Sequence, residues 1–234
     1  MTGVSAIMAS YRRVSGIAPV LDLDAANYSA VPVNGSTIAG TGAFAINVVN
    51  PTPRISWSSD NGGVFRVTTA SSNNFLTFGP NYGSAQAFTV GMAYKWNGAT
   101  AGRLLNANSA SPDFLMGLWG SGTTRMNIAF NGSSFIGSSS TTANTTWRFI
   151  WFTWNGSNVT NSYIATNTAP SGVNGTGSTM GGFNGLRLFG RFFDSTNSSE
   201  QVDADIGFVK VWNSALTLAQ IQAEHATYKT RFGY

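Results

Sequence analysis

The stretch Trp147-Arg-Phe-Ile-Trp-Phe-Thr-Trp154 decides how the rest of this chain is read. In an extended strand, successive side chains point to opposite faces. Trp147, Phe149, Trp151 and Thr153 then share one face, and Arg148, Ile150, Phe152 and Trp154 share the other. Both faces are largely apolar. Such a strand belongs at the centre of a structure, covered on each side by a second sheet, a loop layer or a partner.

Similar runs recur on either side of it. Gly63–Thr69, Phe75–Gly79, Ala87–Trp96, Asp113–Trp119, Arg125–Phe130, Leu186–Phe193 and Ile206–Trp212 are rich in aromatic and β-branched residues and often alternate. Asn61-Gly-Gly, Asn97-Gly, Asn131-Gly and Asn155-Gly punctuate them. Asn-Gly supplies the positive φ angles of tight hairpin turns. Many short strands with such punctuation predict an all-β fold, a two-sheet antiparallel sandwich. Residues 139–146 and 166–185 are polar, and the second stretch is rich in glycine; both read as loops. Residues 1–18 show no period and read as an N-terminal arm, followed by one domain over residues 19–234.

The last stretch departs from this pattern. Thr217 with Gln220 three residues on is a capping-box pair. Leu218, Ile221, His225, Tyr228 and Phe232 follow at helical offsets, predicting one amphipathic helix over residues 217–232. Laid on a sheet's surface or edge, it would act as a cover. His225 is the only histidine, and there are no cysteines, so a typical zinc site, disulfides and thiolate chemistry are excluded. His225 reads as a packing residue on the helix stripe.

Of the 234 residues, 42% are hydrophobic and only 9% charged, against about a quarter in ordinary domains. The solvated surface must therefore be built from Ser, Thr, Asn, Gly and Gln. Such a surface loses little ionic hydration on docking, which suits an assembled or adhesive protein. The net charge of +4 is scattered, so no nucleic-acid stripe is expected. No apolar run is long enough to span a bilayer, and no basic segment precedes an apolar core at the start. Synthesis in a cytoplasm, without membrane insertion, is the expectation.

Several segments resemble a known family. Val20–Ala30, with its strand running into Asp-Ala-Ala-Asn, the Ser-Asp-Asn-Gly-Gly turn within Ser58–Val67, the strands Ala87–Gly98 and Trp147–Val159, and the closing Asp205–Gly233 segment are similar in order and spacing to laminin-G-like, concanavalin A-like lectin/glucanase domains of bacteriophage structural proteins. The resemblance covers Val20 to Tyr234 and implies a jelly-roll sandwich with a role in glycan binding, adhesion or particle assembly. The glucanase branch carries a Glu-x-Asp-x-Glu strand. This chain has no such triplet, and its two glutamates are Glu200 and Glu224. Hydrolysis needs two carboxyls at a set separation, so no enzymatic activity is expected.

Because such relatives often bind calcium, the acids matter. Asp22 and Asp24 share a face, as do Asp203 and Asp205, and four carboxylates would meet if the first and last strands were neighbours. Otherwise they sit at strand ends with backbone partners. For a glycan, Trp57 and Trp119 near turns are the candidate stacking faces, with Asn61, Asn97 and Asn131 at loop tips as polar contacts; the other reading of each Trp is packing. Tyr11, Arg12 and Arg13 make the arm a candidate docking segment. The function this predicts is a non-enzymatic exterior protein of a bacteriophage virion, a capsid decoration or tail-associated protein. Its expected partners are other virion proteins and further copies of itself, with a host-surface glycan as an additional ligand. Calcium is the one cofactor considered. The alternatives are a carbohydrate-binding adhesion module and, behind it, a glycanase.

Overall fold

The computed structural model describes residues 16–31, 33–38, 42–49, 54–68, 75–83, 85–97, 102–107, 115–118, 126–130, 134–139, 145–165, 183–189 and 202–234. Among them, in chain order, run strands β1 (Leu21–Asp24), β2 (Thr37–Ile38), β3 (Ile46–Val49), β4 (Ile55–Ser58), β5 (Val64–Val67), β6 (Phe75–Tyr82), β7 (Phe88–Trp96) and β8 (Gly102–Ala107). They continue with β9 (Leu115–Leu118), β10 (Met126–Phe130), β11 (Ser134–Ser139), β12 (Trp147–Trp154), β13 (Val159–Ala165), β14 (Phe183–Leu188) and β15 (Ala204–Trp212), before helix α1 (Leu218–Lys229).

The strands form two sheets. One has seven strands in the order β13-β12-β7-β15-β5-β4, with β1 also paired to β15. The other has eight, in the order β11-β10-β9-β8-β14-β6-β3-β2. The ladders that build them are antiparallel, as the hairpin-like punctuation predicts. Asn155-Gly156 turns β12 into β13, and the Asn155 carboxamide oxygen accepts from the backbone N–H of Ser157 and Asn158. Asn97 follows β7 in one sheet, and the next strand among the described residues, β8, lies in the other.

Strand β12 fulfils the two-faced reading. Ile150, Phe152 and Trp154 belong to the core between the sheets, packed with Val90, Met92, Val209 and Val211. Trp147, Phe149 and Trp151 belong to a second apolar cluster with Ala93, Phe208, Trp212, Ile221 and Phe232. The centre of the seven-stranded sheet is therefore buried on both faces. Gly91 lies opposite Trp151 in the ladder, where a Cβ would come within 2.2 Å of the indole. The missing side chain is what lets that ring lie flat on the strand.

Strand β15 shows something that simple alternation in Ile206–Trp212 does not anticipate. Its pairing with β7 shifts register between Ile206 and Phe208. The extra residue is Gly207, and a bulge of this kind resets which side chains face which way. Ala204, Ile206, Val209 and Val211 all reach the inner core, while Phe208 and Trp212 join the outer cluster.

Helix α1 lies over that outer cluster. Its start is the predicted capping box: Gln220 N–H donates to Thr217 Oγ1 (3.3 Å), and Thr217 N–H to Gln220 Oε1 (2.9 Å). Of the predicted stripe, Ile221, His225 and Phe232 are buried, and Leu218 and Tyr228 are half-buried. The His225 ring packs edge-on to Phe149 (4.5 Å), as expected of a packing residue, and Phe232 lies 4.4 Å from Trp147. Glu224 is buried too, which the apolar stripe did not foresee.

The end of the chain is then pinned. Arg231 donates to Asp24 Oδ1 (2.5 Å), to the Asn61 carbonyl (2.7 Å) and to the Gly63 carbonyl. Of the expected arm, residues 16–18 are described; the Ile17 carbonyl accepts from Trp212 Nε1 at 3.1 Å. Tyr11, Arg12 and Arg13 lie outside the described residues.

Candidate functional site

A dense set of polar groups lies on the helix-bearing face of the seven-stranded sheet, at the end where β7 stops and β15 begins. Arg66 and Lys95 are each a lone charge in an otherwise apolar strand run, and the ladders set them on either side of Asp205. Arg66 Nε donates to Asp205 Oδ1 (2.7 Å) and its terminal nitrogen to Oδ2 (2.9 Å). Lys95 Nζ stands 3.0 Å from Oδ2, and Asn97 Nδ2 donates to Oδ1 at 2.7 Å. Arg66 also reaches Asp60 Oδ2 at 2.7 Å.

Asp205 has no exposed surface. Burial by itself would push its carboxyl up, but the Arg66 and Lys95 contacts outweigh that and hold it below the usual carboxylate range. The Arg66 hydrogen bond similarly lowers the Asp60 carboxyl. What faces solvent is the rim of this network. The Asp60 side chain is 53% exposed, those of Arg66 and Lys95 are partly open, and Asn97 is exposed. A fixed base with both charges and amides at its edge can donate to and accept from hydroxyl groups at several points.

The predicted site residues sort as follows. Asn97 and Asp205 are brought together directly, and the Asp203 carbonyl accepts the Asn97 N–H at 2.8 Å. Asn61 stands close by in a left-handed turn, φ 48°, but its carboxamide is engaged within the chain. Its oxygen accepts from Trp147 Nε1 (2.9 Å), and its nitrogen donates to the Arg231 carbonyl (3.1 Å). Trp57 packs against the inner core and donates to the Ala25 carbonyl at 2.9 Å, so its ring is not a free platform. Trp119 and Asn131 lie outside the described residues.

The four aspartates are not drawn to one point. Strands β1 and β15 are indeed neighbours, but their register sets Asp22 opposite Lys210 and Asp24 opposite Phe208. Asp205 is three residues further along β15, roughly 10 Å at the usual rise per residue. Three of the carboxylates take their own cations instead, Asp22 with Lys210, Asp24 with Arg231, Asp205 with Arg66 and Lys95, while Asp203 stands apart with Oδ1 buried and without a hydrogen-bond partner. Among the described residues, no group of three or more metal-ligating side chains stands together. Arg66, Lys95 and Asp60 were missed as site residues. The available signal was a single charge flanked by apolar neighbours in Val64-Phe-Arg-Val67 and Ala93-Tyr-Lys-Trp96, which fixes it on the outer face.

Comparison with known proteins agrees with this architecture. Solved structures with similar folds include a Trypanosoma rangeli sialidase in complex with sialic acid, at a TM-score of 0.59 and 11% identity over 92% of this chain. They also include the binding domain of Paraclostridial Mosquitocidal Protein 1 (0.61, 10%, 92%) and the Botulinum neurotoxin serotype D binding domain (0.59, 11%, 92%). This chain spans 33% of the sialidase and 53% and 52% of the two toxin domains. At such identities the likeness is one of fold. No curated protein matches the sequence. A laminin-G-type family model, described as the concanavalin A-like lectin/glucanases superfamily, matches residues 69–222, and with two antiparallel sheets and one closing helix the chain belongs to that family.

Proposed function

We propose that this chain is a non-catalytic carbohydrate-binding module. The observation that carries the reading is the rim of Asp60, Lys95 and Asn97 around buried Asp205, a rigid set of donors and acceptors at the end of a lectin-family sheet. The fold neighbours support it: one is a sialidase solved with sialic acid, and two are the binding domains of toxins. Binding here rests on hydrogen bonds more than on ring stacking, because Trp147 beside the rim is buried under Phe232 and Trp57 packs inward.

The same geometry favours binding over hydrolysis. Among the described residues, two pairs of carboxylates share a partner: Asp22 and Glu224 are sealed beneath α1, and Asp205, which shares Arg66 with Asp60, has no surface open to a polysaccharide. The virion role expected from the sequence has no separate support, and the carbohydrate-binding alternative stands in its place.

The test is a glycan array on the full chain, followed by calorimetry on the best ligand. Asp60→Ala and Asn97→Ala are each expected to weaken binding about tenfold through the loss of one hydrogen-bonding contact. An array without signal, or binding untouched by both changes in folded protein, would reject the proposal.

A further inference from the structure

Beneath α1, three charged side chains are shut away from water. Lys210 is 7% exposed, Asp22 6% and Glu224 4%. The β1/β15 ladder sets Asp22 directly opposite Lys210. Lys210 Nζ lies 3.4 Å from Asp22 Oδ2 and 3.8 Å from Glu224 Oε2. The other Asp22 oxygen, Oδ1, is buried with no hydrogen-bond partner. The surroundings are largely aromatic. Nζ is 5.0 Å from the centre of the Tyr228 ring, and Phe208 and Trp212 flank Lys210 on the same face. Across the ladder is Gly91, overlaid by the Trp151 indole.

As an ion pair this arrangement is poor. Two acids share one cation, an acceptor is orphaned, and every group bears a desolvation penalty. Joining Lys210 to Asp22 as an amide would remove two of the three buried charges at once. The strands already hold the Lys210 amine 3.4 Å from an Asp22 carboxyl oxygen, in a site closed to water.

We propose that Lys210 and Asp22 condense to an intramolecular isopeptide bond, with Glu224 as the proton carrier. Glu224 takes one proton from the Lys210 ammonium. The freed amine attacks Asp22 Cγ, so the Nζ–Cγ bond forms. Glu224 returns its proton, and the amine gives up a second, to the departing Asp22 oxygen; the Cγ–O bond breaks and one water leaves. Ammonium and carboxylate become amide and water, with no change of oxidation state and no outside reagent. Burial by itself would lower the Lys210 ammonium, but Tyr228, Asp22 and Glu224 hold it above its ordinary value, so its amine is free only while Glu224 carries the proton. Burial pushes the Asp22 carboxyl up despite Lys210, which favours passing that proton onto the Asp22 oxygen. The bond would tie the first strand of the sheet to its last.

Mass spectrometry of the intact, denatured full chain tests this. The expected mass lies one water below that of the sequence, and digestion is expected to yield a branched peptide joining Asp22 to Lys210. Lys210→Ala and Asp22→Ala should run at full sequence mass. Glu224→Gln, which keeps both joined residues, should be folded by circular dichroism yet unjoined. A folded wild-type chain at full mass overturns the proposal, and so does a lost water mapped to any other pair, Lys210 with Glu224 included. Complete joining in Glu224→Gln removes that residue's assigned role.

Discussion

Asp205 has no contact with solvent, yet Arg66, Lys95 and Asn97 all reach its two oxygens. Removing the carboxylate leaves two cations facing each other at a sheet end. Asp205→Ala is therefore expected to lower the unfolding free energy by roughly 3 kcal/mol in urea titration near neutral pH. The acid side follows from the same contacts. Its folded pKa lies below the ordinary 3.8, so its contribution is complete above the unfolded value and disappears as pH falls through the folded one. Asp205→Asn should flatten that part of the stability profile; an unchanged acid limb would show that the pairing contributes nothing. Gly207 makes a steric prediction. A Cβ there would come within 2.2 Å of the Phe232 ring. Gly207→Ala should cost about 1–3 kcal/mol by overpacking and perturb the near-ultraviolet aromatic signal.

Among elements, α1 depends on its two ends. The capping box fixes the start, and the Arg231 contacts to Asp24, Asn61 and Gly63 fix the finish. Arg231→Ala is expected to speed hydrogen exchange through the last turns of α1 while β7 and β12 keep their protection, with about 1.5–3 kcal/mol lost from the charged hydrogen bonds. Equal acceleration in all three would mean that the helix is not a separable cover. Strand β12 and α1 were legible in the sequence because each carries a clean period over enough residues. The two-residue β2 and the polar β11 carry none. The bulge at Gly207 was hidden because alternation in a single strand does not reveal what the partner strand does. Glu224 stands three residues after Ile221 and so on the buried face, but a search for apolar residues passes over it.

At the scale of the molecule, the inner core draws on both sheets at once, with Ile46, Leu105 and Leu186 from one and Phe65, Met92 and Phe152 from the other. One shared core predicts one transition. Tryptophan fluorescence and far-ultraviolet circular dichroism should therefore give coincident denaturation curves, and two separated midpoints would contradict a common core. The candidate site was only partly legible for a related reason. Asp60, the neighbouring Lys95 and Asn97, and Asp205 come from three distant parts of the chain and meet only through the pairing of β5, β15 and β7. Asn97 and Asp205 stood out as residue types, but nothing local said that they would touch.

The place of β15 has a further consequence. It lies between β7 on one side and β5 and β1 on the other, yet it follows all of them in the chain. During translation those earlier strands emerge from the ribosome with a vacancy in their midst. Their greasy surfaces must wait, accessible to chaperones and to one another, until Ala204–Trp212 has been made and the missing piece slides in.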